Sequence, residues 1–190
     1  MDGFSHMPDS AKGVFDELVA PHLPRLFRMA YRLTGNTPDA QDLVQDTCII
    51  ACENLGDITA TEAPVAWLLR VLQNRFIDGD RRGRRAPFIL MDSAAAQESV
   101  ASPEPGPEDA LQQQEAAHLL ERAFQALEPM QRVLLGLRTE GHGLGEIESI
   151  TGIPREVLRA RLHRARRALA QRLDEMDSAS STATRARSSA

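Results

Sequence analysis

The chain has 190 residues, a formal net charge of −5 and only 4% aromatic residues. That length suits one medium domain or two small ones, and the abundance of Ala, Leu and Arg favours helix bundles over sheets. The sequence has no apolar run of about 18 residues and no charged, apolar and small leader, so neither membrane insertion nor secretion is expected, and the cytoplasm is the default location.

Charge is unevenly placed. Acids gather at Asp39, Asp42, Asp46, Glu53, Asp57 and Glu62, whereas arginines gather from Arg81 to Arg85 and from Arg155 to Arg172. Such separation predicts two kinds of partner. Cys48 and Cys52, the only cysteines, stand four apart on a predicted helix with no nearby ligand to complete a metal site, so they read as buried small apolar residues.

In chain order, residues 1–10 read as a disordered N-terminus. An amphipathic helix follows from about Lys12 to Leu33, with Phe15, Leu18, Val19, Leu26, Met29 and Ala30 inward and a kink or split at Pro21 and Pro24. Gly35-Asn36 ends it. The next helix starts with Thr37 as cap, Pro38 in its first turn and Asp39 and Asp42 against the positive end of the dipole. Its apolar side is Ala40, Leu43, Val44, Thr47, Ile50 and Ala51, and beside it runs a stripe of Asp39, Asp42, Asp46 and Glu53. That stripe serves either solubility or docking onto a basic surface. Gly56 to Pro64 reads as a polar connection.

The stretch from Ala66 to Arg85 commits Leu68, Leu69, Leu72 and Phe76 to a core, while Trp67, Arg70, Asn74, Asp78 and Arg81 recur every three or four residues on another side. Rings stack on bases, amides bond base edges and guanidinium groups pair with phosphates, so this stripe suits single-stranded nucleic acid; a core Trp beside a solvated face is the alternative. Beyond it the apolar pattern dissolves, and the prolines at 103, 105 and 107 point to a flexible linker over 87–107.

A second helical unit begins near Glu108, with Leu111, Leu119, Leu120, Ala123, Phe124 and Leu127 inward. Pro129 opens another helix, and Gly141 to Gly145 breaks it. A short helix Glu146 to Thr151, a Gly152-Ile153-Pro154 turn and a long helix Arg155 to Leu173 form a helix-turn-helix pattern. Leu158, Leu162, Ala165 and Leu169 form the buried stripe of that last helix, and Glu156, Ala160, His163 and Arg167, flanked by Arg159 and Arg164, lie opposite. This face suits a major groove or is simply a solvated basic surface. Residues 175–190 read as a disordered tail. Five scattered histidines, no nucleophile–base pair and no phosphate loop give an enzyme little support, and no cofactor is expected.

The runs Asp39-Ala40-Gln41-Asp42-Leu43-Val44-Gln45-Asp46-Thr47, Ala66-Trp67-Leu68-Leu69-Arg70 with Asn74 to Asp78 and Arg81-Arg82, and Arg161 to Leu169 resemble bacterial extracytoplasmic-function (ECF) sigma factors of the sigma-70 family. The resemblance implies an all-α chain of two small helical domains, region 2 over 11–86 and region 4 over 108–174, joined by the linker. It implies that Asp39, Asp42, Gln45 and Asp46 dock on the clamp coiled coil of the largest subunit of core RNA polymerase. Trp67, Arg70, Asn74, Arg75, Asp78, Arg81 and Arg82 would then capture the melted −10 strand, while Arg155, Glu156, Arg159, Ala160, His163, Arg164 and Arg167 read the −35 element. Promoter DNA and an anti-sigma factor are the further partners implied. The chain departs from the family pattern at Cys48, at Gln73, at Glu148, where a small residue is usual, and at Glu156-Val157, where Gly-Thr is usual. Glu148 is expected to loosen helix packing, and Glu156 either to accept from a cytosine amino group or to weaken −35 binding. A stand-alone helix-turn-helix regulator is the alternative function.

Overall fold

The computed structural model describes residues 9–83 and 107–187, and among them every regular element is helical. The first unit comprises α1 (Asp9–Leu18), a 3-10 turn (Ala20–His22), α2 (Leu23–Thr34), α3 (Thr37–Glu53), α4 (Leu55–Ala60) and α5 (Pro64–Gly83). The second comprises α6 (Pro107–Gln125), α7 (Pro129–Thr139), α8 (Leu144–Thr151) and α9 (Arg155–Arg187).

Pro21 and Pro24 split the first predicted helix rather than bend it. Each sits in the first turn of a new helical segment, where its missing N–H costs nothing. Gly35 then closes α2 in the left-handed region at φ 77°, with its N–H on Tyr31 O. The cap of α3 is Asn36 and not Thr37: Asn36 Oδ1 accepts from Asp39 N at 2.9 Å, and its Nδ2 donates to the Asp39 carboxylate at 2.8 Å. The expected polar connection over 56–64 is in part a helix, α4, because Ile58 is fully buried and drags its neighbours into a turn. Leu120 faces solvent rather than the core. The long last helix does not stop near Leu173 but continues to Arg187, through an Ala- and Arg-containing stretch with no helix breaker. The predicted linker lies outside the described residues except for Pro107, as do residues 1–8 of the N-terminus.

The two units are not independent bodies. One hydrophobic cluster runs from Phe15, Leu26, Leu33, Leu68 and Leu72 into Leu134, Leu137, Ile147, Leu158 and Leu162. The seam lies between α2 and α5 on one side and α7 and α8 on the other. Gly136 lets α7 approach α2 closely, since a Cβ there would stand 3.0 Å from Met29 Cε. Polar groups edge the seam. Arg132 on α7 donates to Leu33 O at 2.7 Å, lies 4.8 Å over the Phe76 ring and faces Asp80 at 3.4 Å.

Candidate nucleic-acid and partner interfaces

Three surfaces carry the residues singled out from the sequence. On α3, burial of Ala40, Leu43, Thr47, Cys48 and Ala51 turns the opposite side outward. Asp39, Asp42 and Gln45 are exposed there, Asp46 is half-buried, and Ile49 adds an apolar group that is 48% exposed. Cys48 is in the core, where burial and then the neighbouring Cys52 push its thiol up to about 11. Both cysteines are unpaired, and no group of three His, Cys, Asp or Glu able to hold a metal occurs among the described residues.

Asp46 links this acidic stripe to α5. Its carboxylate takes Arg75 Nη2 at 2.6 Å and Nε at 3.2 Å, and the same carboxylate raises the Arg75 guanidinium above its ordinary value. Arg75 is thereby fixed against α3.

The α5 stripe is only partly open. Asn74 and Asp78 are exposed, Trp67 is half-buried and rests on the core instead of standing free, and Arg81 and Arg82 lie in the last turns of the helix. Arg70 is turned onto the second unit: Nη2 donates to Ser149 O, and Nε to Ile150 O at 3.3 Å. Gln73, which sequence reasoning noted only as an odd neighbour of Asn74, is 3% exposed and donates Nε2 to Ile150 O at 2.7 Å. The signal was its position three residues before Phe76 and four after Leu69, on the buried side. Its Oε1 has no partner. These carbonyls belong to the last turn of α8, where a helix leaves acceptors unfilled and its dipole is negative, so a cation and an amide are suitable partners.

The α9 stripe is open throughout. Arg155, Glu156, Arg159, Ala160, His163, Arg164 and Arg167 are all exposed, while Leu158, Leu162 and Ala165 are buried. Glu148 does not wedge α8 from α9. It sits half-buried at the edge, where its carboxylate takes Arg155 Nε at 2.7 Å and the Arg155 backbone N–H at 3.3 Å. The helix start that lost Gly-Thr is thus held by an acid from α8. From Arg159 to Arg167 the face carries five arginines and no acid, a density of positive charge suited to a phosphate backbone.

A family profile for sigma-70 region 2 matches residues 18–86, which take in α2 to α5. The chain is 33% identical over 157 residues to the ECF RNA polymerase sigma factor SigE of Mycolicibacterium smegmatis, spanning 82% of this chain but 60% of that protein. With the RNA polymerase sigma factor CarQ of Myxococcus xanthus it shares 29% identity over 170 residues, 89% of this chain and 94% of the relative. The fold is similar to that of the sigma factor RpoE of Bartonella quintana, solved with the anti-sigma factor NepR. There the TM-score is 0.65 at 24% identity, covering 84% of this chain and 96% of the other.

Proposed function

The chain belongs to the extracytoplasmic-function RNA polymerase sigma factors, and from that premise we propose that it binds core RNA polymerase and directs promoter-specific initiation in the bacterial cytoplasm. What supports this most is the segregation of three chemically distinct surfaces on one helical scaffold: acids on α3, an amide with an aromatic neighbour on α5, and unopposed arginines on α9. A stand-alone duplex binder has use for only the last.

Asp39, Asp42, Gln45 and Asp46 dock on the clamp coiled coil of the largest subunit, with Ile49 supplying the apolar contact that charged rims surround. Asn74 offers both donor and acceptor to the edge of an unstacked −10 base, and Trp67 supports that base from the side. Arg75, Asp78, Arg81 and Arg82 line the path of the strand. On α9, Arg159, Arg164 and Arg167 contact phosphates of the −35 duplex while Glu156, Ala160 and His163 approach base edges. Arg155, tied to Glu148, sets the helix against the groove. An anti-sigma factor is the further partner, as NepR is for RpoE.

Transcription from a promoter library with purified core polymerase tests the reading. The expected result is initiation confined to templates sharing one −10 and one −35 sequence. Asn74→Ala leaves polymerase binding intact and blocks strand opening; Asp42→Ala does the reverse. Asp42 is the cleaner choice, because Asp46 also holds Arg75. Tight duplex binding by the isolated chain with no polymerase-dependent transcript would establish the stand-alone regulator instead.

A further inference from the structure

We propose that Glu148 and Gly145 are positioning residues for −35 binding: between them they aim the Arg155 guanidinium at one phosphate of the duplex. That the phosphate belongs to a −35 element rests on the sigma-factor reading; the aiming of Arg155 does not.

Arg155 opens α9, and its side chain runs back over α8 instead of out along its own helix. Two residues of α8 fix it there. Glu148 takes both Arg155 Nε, at 2.7 Å, and the Arg155 backbone N–H, at 3.3 Å, so one carboxylate holds the side chain and the helix start together. Gly145, three residues earlier and therefore on the same face of α8, leaves the space that the fork occupies. A Cβ on Gly145 would stand 2.6 Å from Arg155 Nη2 and 3.2 Å from Cζ. The backbone of Gly145 lies within α8 and has no positive φ, so it is the guanidinium and not the backbone that calls for glycine.

What this clasp leaves unused defines the ligand. Among the described residues neither Arg155 Nη1 nor Nη2 has an acceptor, and the side chain is 61% exposed. The planar fork therefore presents the N–H groups of both Nη atoms outward, the arrangement that takes two oxygens of one phosphate. Around α9, Arg155 lies between the buried stripe of Leu158 and Leu162 and the outer face of Arg159 and His163. A helix seated in a groove meets the sugar–phosphate rim along that flank, whereas its outer face meets base edges. Val157, 39% exposed in the same turn, has neither hydroxyl nor charge to serve a phosphate. Glu148 offsets part of the Arg155 charge, so the gain from the clasp is direction: an arginine already held loses less rotamer freedom on binding.

The test uses core polymerase assembled with the full chain and a duplex carrying the −35 sequence it selects, with phosphates replaced one at a time by uncharged methylphosphonates. At one phosphate, or two adjacent ones, neutralisation is expected to cost the native chain about tenfold in affinity and Arg155→Ala nothing. Gly145→Ala keeps every charge and, as a methyl added to a helix, keeps or raises the thermal midpoint. It is nevertheless expected to cut that cost to about twofold and spread it over neighbouring phosphates. Glu148→Ala should do the same with an unchanged salt slope. Native chain and Arg155→Ala responding alike at every phosphate, or Gly145→Ala keeping the full native cost at that position, overturns the proposal. If Glu148→Ala is too unstable to form a complex, Gly145→Ala alone decides. The same single-phosphate pattern on duplex bound by the isolated chain, with no polymerase-dependent transcript, would leave the aiming of Arg155 standing and remove the sigma-factor reading.

Discussion

The α5 and α9 stripes both carry arginines at helical spacing, yet the arginines of one are engaged by neighbouring helices and those of the other are largely open. On α5, Arg70 is engaged with α8 and Arg75 with Asp46. On α9, every arginine from Arg159 to Arg167 is exposed. The difference lies in what stands opposite. Next to α5 are a carboxylate and the unfilled carbonyls of a helix end, both of which a guanidinium satisfies; α9 packs on α6, α7 and α8, and of its stripe only Arg155, at the start of the helix, meets a carboxylate, that of Glu148, while Arg164 reaches no further than Ala160 O of its own helix at 3.4 Å. A periodic row of cations thus defines a possible nucleic-acid face, but its availability is decided by helix ends and acids that come from elsewhere in the chain.

The largest expected effect concerns the core that joins the two stripes. Leu134 is 1% exposed in the cluster shared by both units, so Leu134→Ala should cost about 2–5 kcal/mol. Because the cluster is continuous, urea unfolding followed at Trp67 in the first unit and by circular dichroism overall should give a single shifted transition. Two transitions, with the Trp67 signal unmoved, would mean that the units fold separately and that the covering of α5 is a weak contact.

A smaller effect separates the stripes by chemistry. Arg164→Ala should lower the salt dependence of duplex binding by about one unit of slope, uniformly across sequences, and leave single-strand binding unchanged. Asn74→Ala should lose about 1–3 kcal/mol for single-stranded −10 DNA in the polymerase complex with no change in that slope. If both variants altered both slopes alike, α5 and α9 would form one undivided basic surface, and the contrast between them would vanish.

How far the sequence disclosed this depends on the range of the forces involved. Gly35-Asn36 and Gly152-Ile153-Pro154 punctuate the chain through local backbone chemistry, and the ends of α2 and α8 were legible from them. The buried stripes of α3 and α9 were legible because many residues repeat the period. In α4 a single residue, Ile58, supplies the burial, and one residue has no period; the helix therefore read as a loop. The partly buried Trp67, the capture of Arg70 and the bond from Gln73 to Ile150, 77 residues away, depend on which helix end arrives opposite α5. Nothing local encodes that. Glu148 was seen as an anomaly, but its clasp on Arg155 emerged only when the turn brought residues seven apart together.

The smallest expected effect is on pH, and it acts on the closed side of the contrast alone. His142 is 4% exposed at the seam, facing Arg25 on α2 and Glu146 on α8, with Glu140 beside it at the end of α7 and Arg138 Nη1 on its carbonyl at 2.7 Å. Burial, followed by the Arg25 charge, holds its pKa below the ordinary value against the pull of the two carboxylates. Since an arginine only donates, Nε2 must be the acceptor and the ring neutral, with Nδ1–H toward Glu146 at 3.6 Å. Undocking the second unit from the first returns the ring to water and to about 6.5. Between the lowered docked value and that figure the undocked chain binds more protons, so docking is strongest above about pH 6.5 and weakens as pH falls through the window. Glu146, held low by the Gly143 N–H, stays ionised there and adds no opposing step. Scattering from about pH 7.5 down to 5.5 should show the native chain expanding and His142→Gln, whose amide oxygen still accepts from Arg25, changing less. A native radius that stays constant over the range would mean that the Arg25–His142 bond contributes nothing to holding the units together, leaving the task to Arg70 and Gln73.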